Sequence, residues 1–257
     1  MTAPIPRDIP DLPALPRTRP RILPSAVPAR AVVPLVRRPV AAAYRLALAL
    51  LATGAVLVET LLGSPARVLS YFAIQSAVVL AVVMLASARR AWLARHPLPG
   101  AVTGATLLYV TMAGLVHHVL LADATPRFAM ADGSAGPAWL EPLAAHTLHT
   151  VLPVAALLEW LLLSPPARMH LRQAATWLLY PLAYLAFTLA RGELLPGSPT
   201  RYLYPFLDVV RHGYKNVLAN ALLVGLAFYA LAVLLVALDH ARPNPVRRRP
   251  SKTGFRL

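Results

Sequence analysis

The chain has 257 residues, of which 58% are hydrophobic and only 14% charged, and its mean hydropathy is +0.58. A soluble domain of this length carries about a quarter charged residues, so the composition excludes an ordinary soluble fold. The absence of cysteine excludes disulfides and thiolate chemistry. A net charge of +15 would suit a nucleic-acid-binding protein if the basic residues shared one folded surface, so their distribution decides that question.

The chain begins with a segment that is unable to build a hydrophobic core. Residues 1–40 contain ten prolines and seven arginines and show no hydrophobic periodicity. This composition predicts a disordered, polyproline-like tail. The segment lacks the layout of a signal peptide, because the first apolar run starts only near Ala41 and is long enough to span a membrane. Residues 240–257 form a second, basic tail.

Six apolar segments follow between residues 41 and 239. A helix needs about 20 apolar residues to cross the hydrocarbon core, and backbone groups in lipid must be hydrogen-bonded within the segment. The sequence therefore predicts an all-α fold, an integral membrane bundle of six transmembrane helices. The predicted spans are Ala41–Leu62, Tyr71–Ala88, Ala101–Leu121, Leu143–Leu163, Ala174–Ala190 and Val217–Leu238.

The basic residues fall mainly on one side of these spans. Eighteen lysines and arginines lie in the two tails and in the second-to-third and fourth-to-fifth connections, and six lie on the other side. This is the positive-inside distribution, and it predicts that both termini are cytoplasmic. The remaining arginine, Arg45, is expected to extend its side chain back to the cytoplasmic headgroups. We thus predict contact between the tails and membrane lipid rather than nucleic acid.

The bias toward Ala, Arg, Pro and Leu is typical of a high-GC bacterial genome. The predicted location is therefore the bacterial plasma membrane, with a multi-pass topology.

Polar side chains inside the spans are costly and thus are candidates for function. Span direction places most of them in the outer half of the bundle, and Glu159 lies deeper, toward the cytoplasm. The outer set comprises Glu59, Ser76, His117, His118, His146 and His149.

Three chemical hypotheses fit this outer set. Histidines suit a metal site, but adjacent His117 and His118 point about 100° apart, so interfacial histidines bound to loops are the preferred interpretation and no metal is predicted. A hydroxyl activated by His149, such as that of Ser76, would allow acyl transfer. Glu59 and Glu159 with the histidines would suit proton or solute transport, although Glu159 also fits a structural carboxylate paired with a neighbouring helix.

Two prolines lie inside predicted spans, and each is expected to kink its helix. Pro153 removes the hydrogen bond to the carbonyl of His149, and Pro181 acts similarly in the fifth span. The polar residues Gln75, Tyr180, Tyr184 and Asn220 are as compatible with hydrogen bonds between helices as with a site.

Several of these residues form motifs in a recognisable order. Ser70–Ser76, with the sequence SYFAIQS, resembles the SYFTxQSN signature of a bacterial six-pass family, the Pr-six-Pr membrane proteins. His149–Pro153 followed by Glu159-Trp160 resembles the HxxxP…[DE]W segment of that family. Its remaining landmarks resemble Leu179–Tyr184, Arg191-Gly192, Tyr204–Asp208 and Asn220. The resemblance runs from about Ala41 to Asp239.

This family is distantly similar to the eukaryotic androgen-induced membrane hydrolases. Those six-pass proteins cleave fatty acid esters of hydroxy fatty acids with an intramembrane threonine and a histidine. The resemblance implies that His149 occupies the histidine position and that the threonine position is Ala73. Ala77 replaces the asparagine that ends the bacterial signature. Because a methyl group is no nucleophile, the sequence leaves open whether the chain is an enzyme, a hydrolase of lipid esters.

The function expected from these observations is binding of a lipid or acyl chain at a degenerate hydrolase-like site near the outer leaflet. An active intramembrane esterase using Ser76 and His149 is the alternative, with Ser76 one helical turn beyond Ala73, and a small transporter is the further alternative. The candidate ligand is a membrane lipid or an acyl ester, and no cofactor is predicted. Candidate catalytic residues are His149 and Ser76, and candidate ligand-binding residues are Tyr71, Ala73, His146, Tyr184, Arg191, Tyr204 and Asp208.

Overall fold

The computed structural model describes residues 36–121, 130, 137, 139–166, 168–198 and 201–242. Every regular element in these ranges is a helix, so the prediction of an all-α fold is confirmed. The two predicted tails, 1–40 and 240–257, lie almost entirely outside the described residues.

The helices overlap the predicted spans, and the largest shift is in the last one, which begins at Val209 rather than Val217. They are α1 (Pro39–Leu62), α2 (Pro65–Val68), α3 (Phe72–Trp92), α4 (Gly100–Val116), α5 (Leu140–His146), α6 (Leu152–Leu162), α7 (Leu171–Trp177), α8 (Leu179–Leu194) and α9 (Val209–Ala241). A π-helical turn, His117–Leu121, continues α4, a second one, Thr147–Val151, joins α5 to α6, and a 3₁₀ turn, Pro205–Leu207, precedes α9.

Five of these helical segments are long and apolar enough to cross a membrane. They are Pro39–Leu62, Phe72–Trp92, Gly100–Leu121, Leu140–Leu162 and Val209–Ala241. The predicted fifth span, Ala174–Ala190, is divided at Leu178 into α7 and α8, which have 7 and 16 residues.

The start of α1 and the end of α9 lie at the same end of the bundle, because Arg45 and Asp239 contact Glu159 and Trp160, which are neighbours on α6. We call the end where α1 begins and α9 finishes the proximal end, and the opposite one the distal end. Helix α1 packs along α3 and also contacts α5 and α6, while α4 lies against α3 and α6. Helix α9 packs on α4 and α7 and is the least buried of the five long segments.

At the proximal end, an ion pair joins α1 to α6. The Nε of Arg45 donates to Oε1 of Glu159 at 2.7 Å, and the two side chains are only 7% and 5% exposed. The hydroxyl of Ser164 donates to the same carboxylate at 3.1 Å. The expectation that Arg45 reaches back to the headgroups is therefore wrong, because a buried carboxylate on another helix compensates its charge in place.

A second polar cluster ties α6 to the end of α9. Oδ1 of Asp239 accepts from the indole of Trp160 at 3.2 Å and from Arg242 at 2.5 Å. Oδ2 accepts from the backbone N–H groups of Arg168 and Met169 at 2.7 and 3.0 Å. Asp239 is 1% exposed, so four donors satisfy a buried carboxylate.

The two intramembrane prolines change the helices around them. The turn before Pro153 is π-helical, with the N–H of Leu152 bonded to the carbonyl of Thr147. A Cβ on Gly114 would lie 2.7 Å from the oxygen of His149 and 2.9 Å from Pro153, so only glycine allows α4 to approach this turn.

Pro181 cannot donate to the carbonyl of Trp177, four residues earlier, and the chain breaks between α7 and α8 at that point. The hydroxyl of Tyr109 takes the place of the missing donor and bonds to that carbonyl at 2.8 Å.

Candidate functional site

An apolar cavity of about 470 Å³ lies between α8 and α9 in the distal part of the bundle. The start of α3, the end of α4 and the π turn before α6 close its inner side. The residues from these three elements are Phe72, Ala73, Ala113, Val116 and His149, and α8 and α9 contribute, among others, Leu182, Tyr184, Leu218, Leu222, Gly225, Leu226 and Phe228.

The cavity opens to the side of the bundle. Leu182 on α8 and Leu218, Leu222 and Leu226 on α9 border it, and these side chains are all more than half exposed on the outer surface. A ligand could thus reach the cavity between the two helices without passing either end of the bundle.

His149 is the one imidazole in the described wall of this cavity. Its Nδ1–H donates to the carbonyl of Ala145 at 2.8 Å, so in the neutral imidazole Nε2 is the accepting nitrogen. Its ring stacks on that of His117, with centroids 3.9 Å apart, and only 4% of His149 is exposed. The geometry suits a neutral acceptor that is held in one orientation.

Ala73 borders the same cavity as His149, whereas Ser76 does not. The hydroxyl of Ser76 donates to the carbonyl of Phe72 at 2.8 Å, and Ser76 is 1% exposed. Among the described residues that line the cavity, the only hydroxyl groups belong to Tyr184, Tyr204 and Tyr229. Ala73 and His149 therefore border one cavity, and neither the serine nor any other aliphatic hydroxyl is among its described lining residues.

Aromatic side chains form the wall next to Ala73. The ring of Phe72 meets those of Tyr184, Phe228 and Tyr180 with centroids 5.2 to 5.7 Å apart. The hydroxyl of Tyr184 accepts from the N–H of Phe72 at 3.2 Å and donates to the carbonyl of Ser70 at 3.0 Å. These contacts dock α8 onto the start of α3.

The other predicted ligand-binding residues are dispersed. Tyr204 lines the cavity, and Tyr71 packs edge-on against it at 5.7 Å without being part of the wall. His146 is exposed and, unlike His149, does not line the cavity. Asp208 caps α9, and its Oδ1 accepts hydrogen bonds from the backbone N–H groups of Val210 and Arg211.

The last predicted ligand-binding residue, Arg191, lines a separate, more polar pocket at the distal end of the bundle. Its Nη1 donates to the carbonyl of Arg201 at 2.9 Å.

Two glutamates considered for transport lie far apart. Glu159 pairs with Arg45 on α1. Glu59 lies on the same helix, 14 residues after Arg45, which is about 21 Å along the helix axis. Glu59 is 1% exposed, and no donor among the described residues bonds its carboxylate. Neither glutamate borders the cavity.

The part of the cavity wall that α9 supplies was not predicted from the sequence. Ala221, Gly225 and Tyr229 recur at every fourth position and border the cavity. The small residues were a visible signal, but the same spacing is also typical of close contact between two helices.

In the described ranges, no group of three or more His, Asp or Glu side chains could hold a metal ion. No family model matches the chain, and neither the curated proteins nor the solved structures gave a match.

Proposed function

We propose that this chain is a six-span bacterial plasma-membrane protein that binds an acyl chain at a hydrolase-like site lacking its nucleophile. The observation that carries the proposal is the side-opening apolar cavity that ends on Ala73 and His149. The resemblance of the motifs to the Pr-six-Pr proteins and to the androgen-induced membrane hydrolases agrees with it.

The geometry of α7 and α8 supports a sixth span. Leu178, which separates them, has φ −73° and ψ −17°, so the chain keeps nearly helical torsions through the break. From Leu171 to Leu194 the segment would cover about 36 Å, which is enough to cross the hydrocarbon core. With six spans both termini share one side, and the 18-to-6 distribution of basic residues favours the cytoplasm.

The size and lining of the cavity support an acyl ligand. Small-molecule sites usually enclose about 300–1,000 Å³, so 470 Å³ is a normal volume for one. Leucine, phenylalanine and alanine side chains dominate the wall. A hydrocarbon chain bound against them would leave no polar group of these side chains buried without a hydrogen bond. The polar groups in the described wall are His149 and three tyrosine hydroxyls, and His149 would face the polar part of an ester.

An acyl-binding test follows from an open position in the wall. A Cβ on Gly225 would meet no atom within 4 Å, so Gly225→Phe would fill the cavity without a backbone clash. We expect it to weaken binding of a fluorescent fatty acid methyl ester by about tenfold or more, measured in detergent with purified protein.

Gly54→Phe is the matched control, because a Cβ on Gly54 also meets no atom and Gly54 lies exposed on α1, away from the cavity. It should bind the ester as the wild type does. Equal binding by wild type and Gly225→Phe would overturn the acyl-binding proposal.

The absence of a nucleophile is tested by hydrolysis of lipid esters. We expect the wild type to be inactive and Ala73→Thr to gain activity that His149→Ala then removes. In the restored reaction, the threonine oxygen would attack the ester carbonyl while its proton passes to Nε2 of His149. That proton would leave with the alcohol, and water would then release the acid from the acyl-enzyme.

Activity in the wild type that disappears in His149→Ala would instead establish an esterase. Ser76→Ala would then show whether the serine supplies the nucleophile in spite of its bond to the carbonyl of Phe72.

A further inference from the structure

The acyl cavity has no charged side chain among its described lining residues. Lysine, arginine, aspartate and glutamate are all missing from this part of the wall. A charged group carried into the cavity would therefore lose its water without gaining an opposite charge there, which is costly. The wall favours a ligand whose polar part is neutral.

The acceptor character of His149 follows from its own hydrogen bond. A backbone carbonyl only accepts, so the bond to Ala145 at 2.8 Å places the ring proton on Nδ1. A second proton, on Nε2, would put a positive charge into a wall whose described residues include no carboxylate, so the neutral ring is favoured. In that ring Nε2 carries a free lone pair.

The cavity is the place where this lone pair is available. Nε2 bonds none of the described residues, and it is not among the side-chain atoms that are buried without a partner. The small accessible part of His149, 4% of the residue, therefore includes this nitrogen. Because His149 lines the cavity, Nε2 presents its lone pair to a ligand bound there.

The hydroxyl groups of Ser76 and Tyr184 are already committed to other acceptors. Ser76 donates to the carbonyl of Phe72 at 2.8 Å, and Tyr184 donates to that of Ser70 at 3.0 Å. A ligand that covers Nε2 without donating to it would leave a buried acceptor unpaired, at a cost in affinity. Sites of this kind discriminate against analogues that lack the hydrogen-bonding group.

We propose that the ligand is a neutral lipid with a free hydroxyl group, which donates to Nε2 of His149 while the hydrocarbon chain lies between α8 and α9. Long-chain alcohols and monoacylglycerols share this chemistry, and a monoacylglycerol also contains the ester. The inference rests on the proposed acyl-binding function and adds the polar group of the ligand to it.

The test compares ligands that share a chain and differ in one hydrogen-bond donor. A fluorescent fatty acid methyl ester bound to purified wild type in detergent would be displaced by unlabelled competitors, with partition into empty micelles subtracted. We expect a long-chain alcohol to bind about tenfold more tightly than its methyl ether. A monoacylglycerol should exceed its di-O-methyl ether by a similar factor, and the tighter of the two hydroxyl ligands identifies the source of the hydroxyl.

The variant His149→Phe removes the acceptor and keeps an aromatic ring that can stack on His117. We expect the alcohol and its ether to bind this variant equally, with the affinity for the ether near that of the wild type. His146→Phe is the matched control, because His146 lies in the same helical segment, is exposed and does not line the cavity. It should keep the preference of the wild type for the alcohol.

The outcomes separate the two proposals. Equal binding of alcohol and ether by wild type would overturn the hydroxyl inference alone, as would a preference that survives in His149→Phe. Tighter binding of the ionised fatty acid than of the alcohol at alkaline pH would overturn the neutral character of the ligand. Absence of binding for every ligand, the fluorescent ester included, would overturn the acyl-binding function itself. Should His149→Phe fail to fold, the order of alcohol, ether and acid in the wild type still decides the proposal.

Discussion

The two ends of the bundle differ in how fully their buried polar side chains are hydrogen-bonded. At the proximal end, Glu159 and Asp239 each accept hydrogen bonds from several donors, and an arginine accompanies each carboxylate. In the distal part, His149 borders an apolar cavity, and among the described residues only its Nδ1 finds a hydrogen-bond partner. Fully compensated groups hold helices together, and a group that keeps an acceptor beside a cavity can contact a ligand. The comparison predicts that proximal substitutions change stability and distal ones change binding.

The largest effect is expected at Asp239. Asp239→Ala leaves the Arg242 guanidinium, one indole and two backbone N–H groups without their acceptor. We expect a loss of about 3–5 kcal/mol in the free energy of unfolding, seen by reversible unfolding in mixed detergent micelles.

Glu193→Ala is the control, because Glu193 is 54% exposed and solvent screens its pair with Arg201, so its loss should hardly change the free energy of unfolding. Similar losses for the two variants would contradict the role of Asp239 in joining α6 to α9.

The ion pair of Arg45 and Glu159 should give the next largest effect. Glu159→Leu leaves Arg45 buried without its carboxylate, at a cost of about 2–3 kcal/mol, and Arg45→Met/Glu159→Leu should recover most of it. Unfolding of the two single variants and the double variant would measure the coupling. Affinity for the acyl ester should stay at the wild-type value in the double variant, and a large change there would contradict the separation of the two ends.

Gly114 tests how the packing of α4 positions His149. Gly114→Ala would place its Cβ 2.7 Å from the oxygen of His149, so we expect a loss of about 1–2 kcal/mol and weaker binding of the acyl ester. Gly54→Ala, whose Cβ meets open space, should be neutral or stabilising by up to about 1 kcal/mol. Thermal melting and ester titration of both variants would check this, and unchanged binding in Gly114→Ala would show that the site tolerates movement of the π turn.

The smallest effect is expected at Tyr184. Tyr184→Phe removes the hydrogen bonds to Phe72 and Ser70, for a loss of about 1 kcal/mol. Tyr229→Phe likewise removes a tyrosine hydroxyl from the cavity wall, but on α9, and we expect almost no change in melting temperature. Equal behaviour of the two variants would mean that the docking of α8 does not depend on the Tyr184 hydroxyl.

The sequence predicted the helices well because each is determined by its own composition. The apolar lengths placed most helix ends within about four residues, but the last helix begins at Val209 rather than Val217, and the predicted fifth span is divided at Leu178. Pro153 and Pro181 indicated where the hydrogen bonding changes. The response to each proline was not predictable, since it depends on residues far along the chain. Tyr109, which bonds the carbonyl that Pro181 leaves free, is 68 residues from Trp177.

The candidate site was predicted less completely for the same reason. His149 and Ala73 were placed together only through the resemblance of motifs. The pairing of Arg45 with Glu159 joins residues 114 positions apart, which no local pattern reveals. Ser76 was a candidate on helical spacing, and its hydroxyl could not be known to bond the carbonyl of Phe72, because a buried serine has several possible acceptors.

The exposed leucines on α8 and α9 determine how a ligand would reach the cavity in a bilayer. Leu182, Leu218 and Leu222 border the opening with more than half of each residue exposed, so in the proposed membrane-spanning arrangement an acyl ligand would enter from the hydrocarbon phase. Occupancy would then follow the mole fraction of ligand in the surrounding lipid rather than its concentration in water. Adding empty lipid vesicles at a fixed total amount of protein and ligand would dilute the ligand in two dimensions and empty the site.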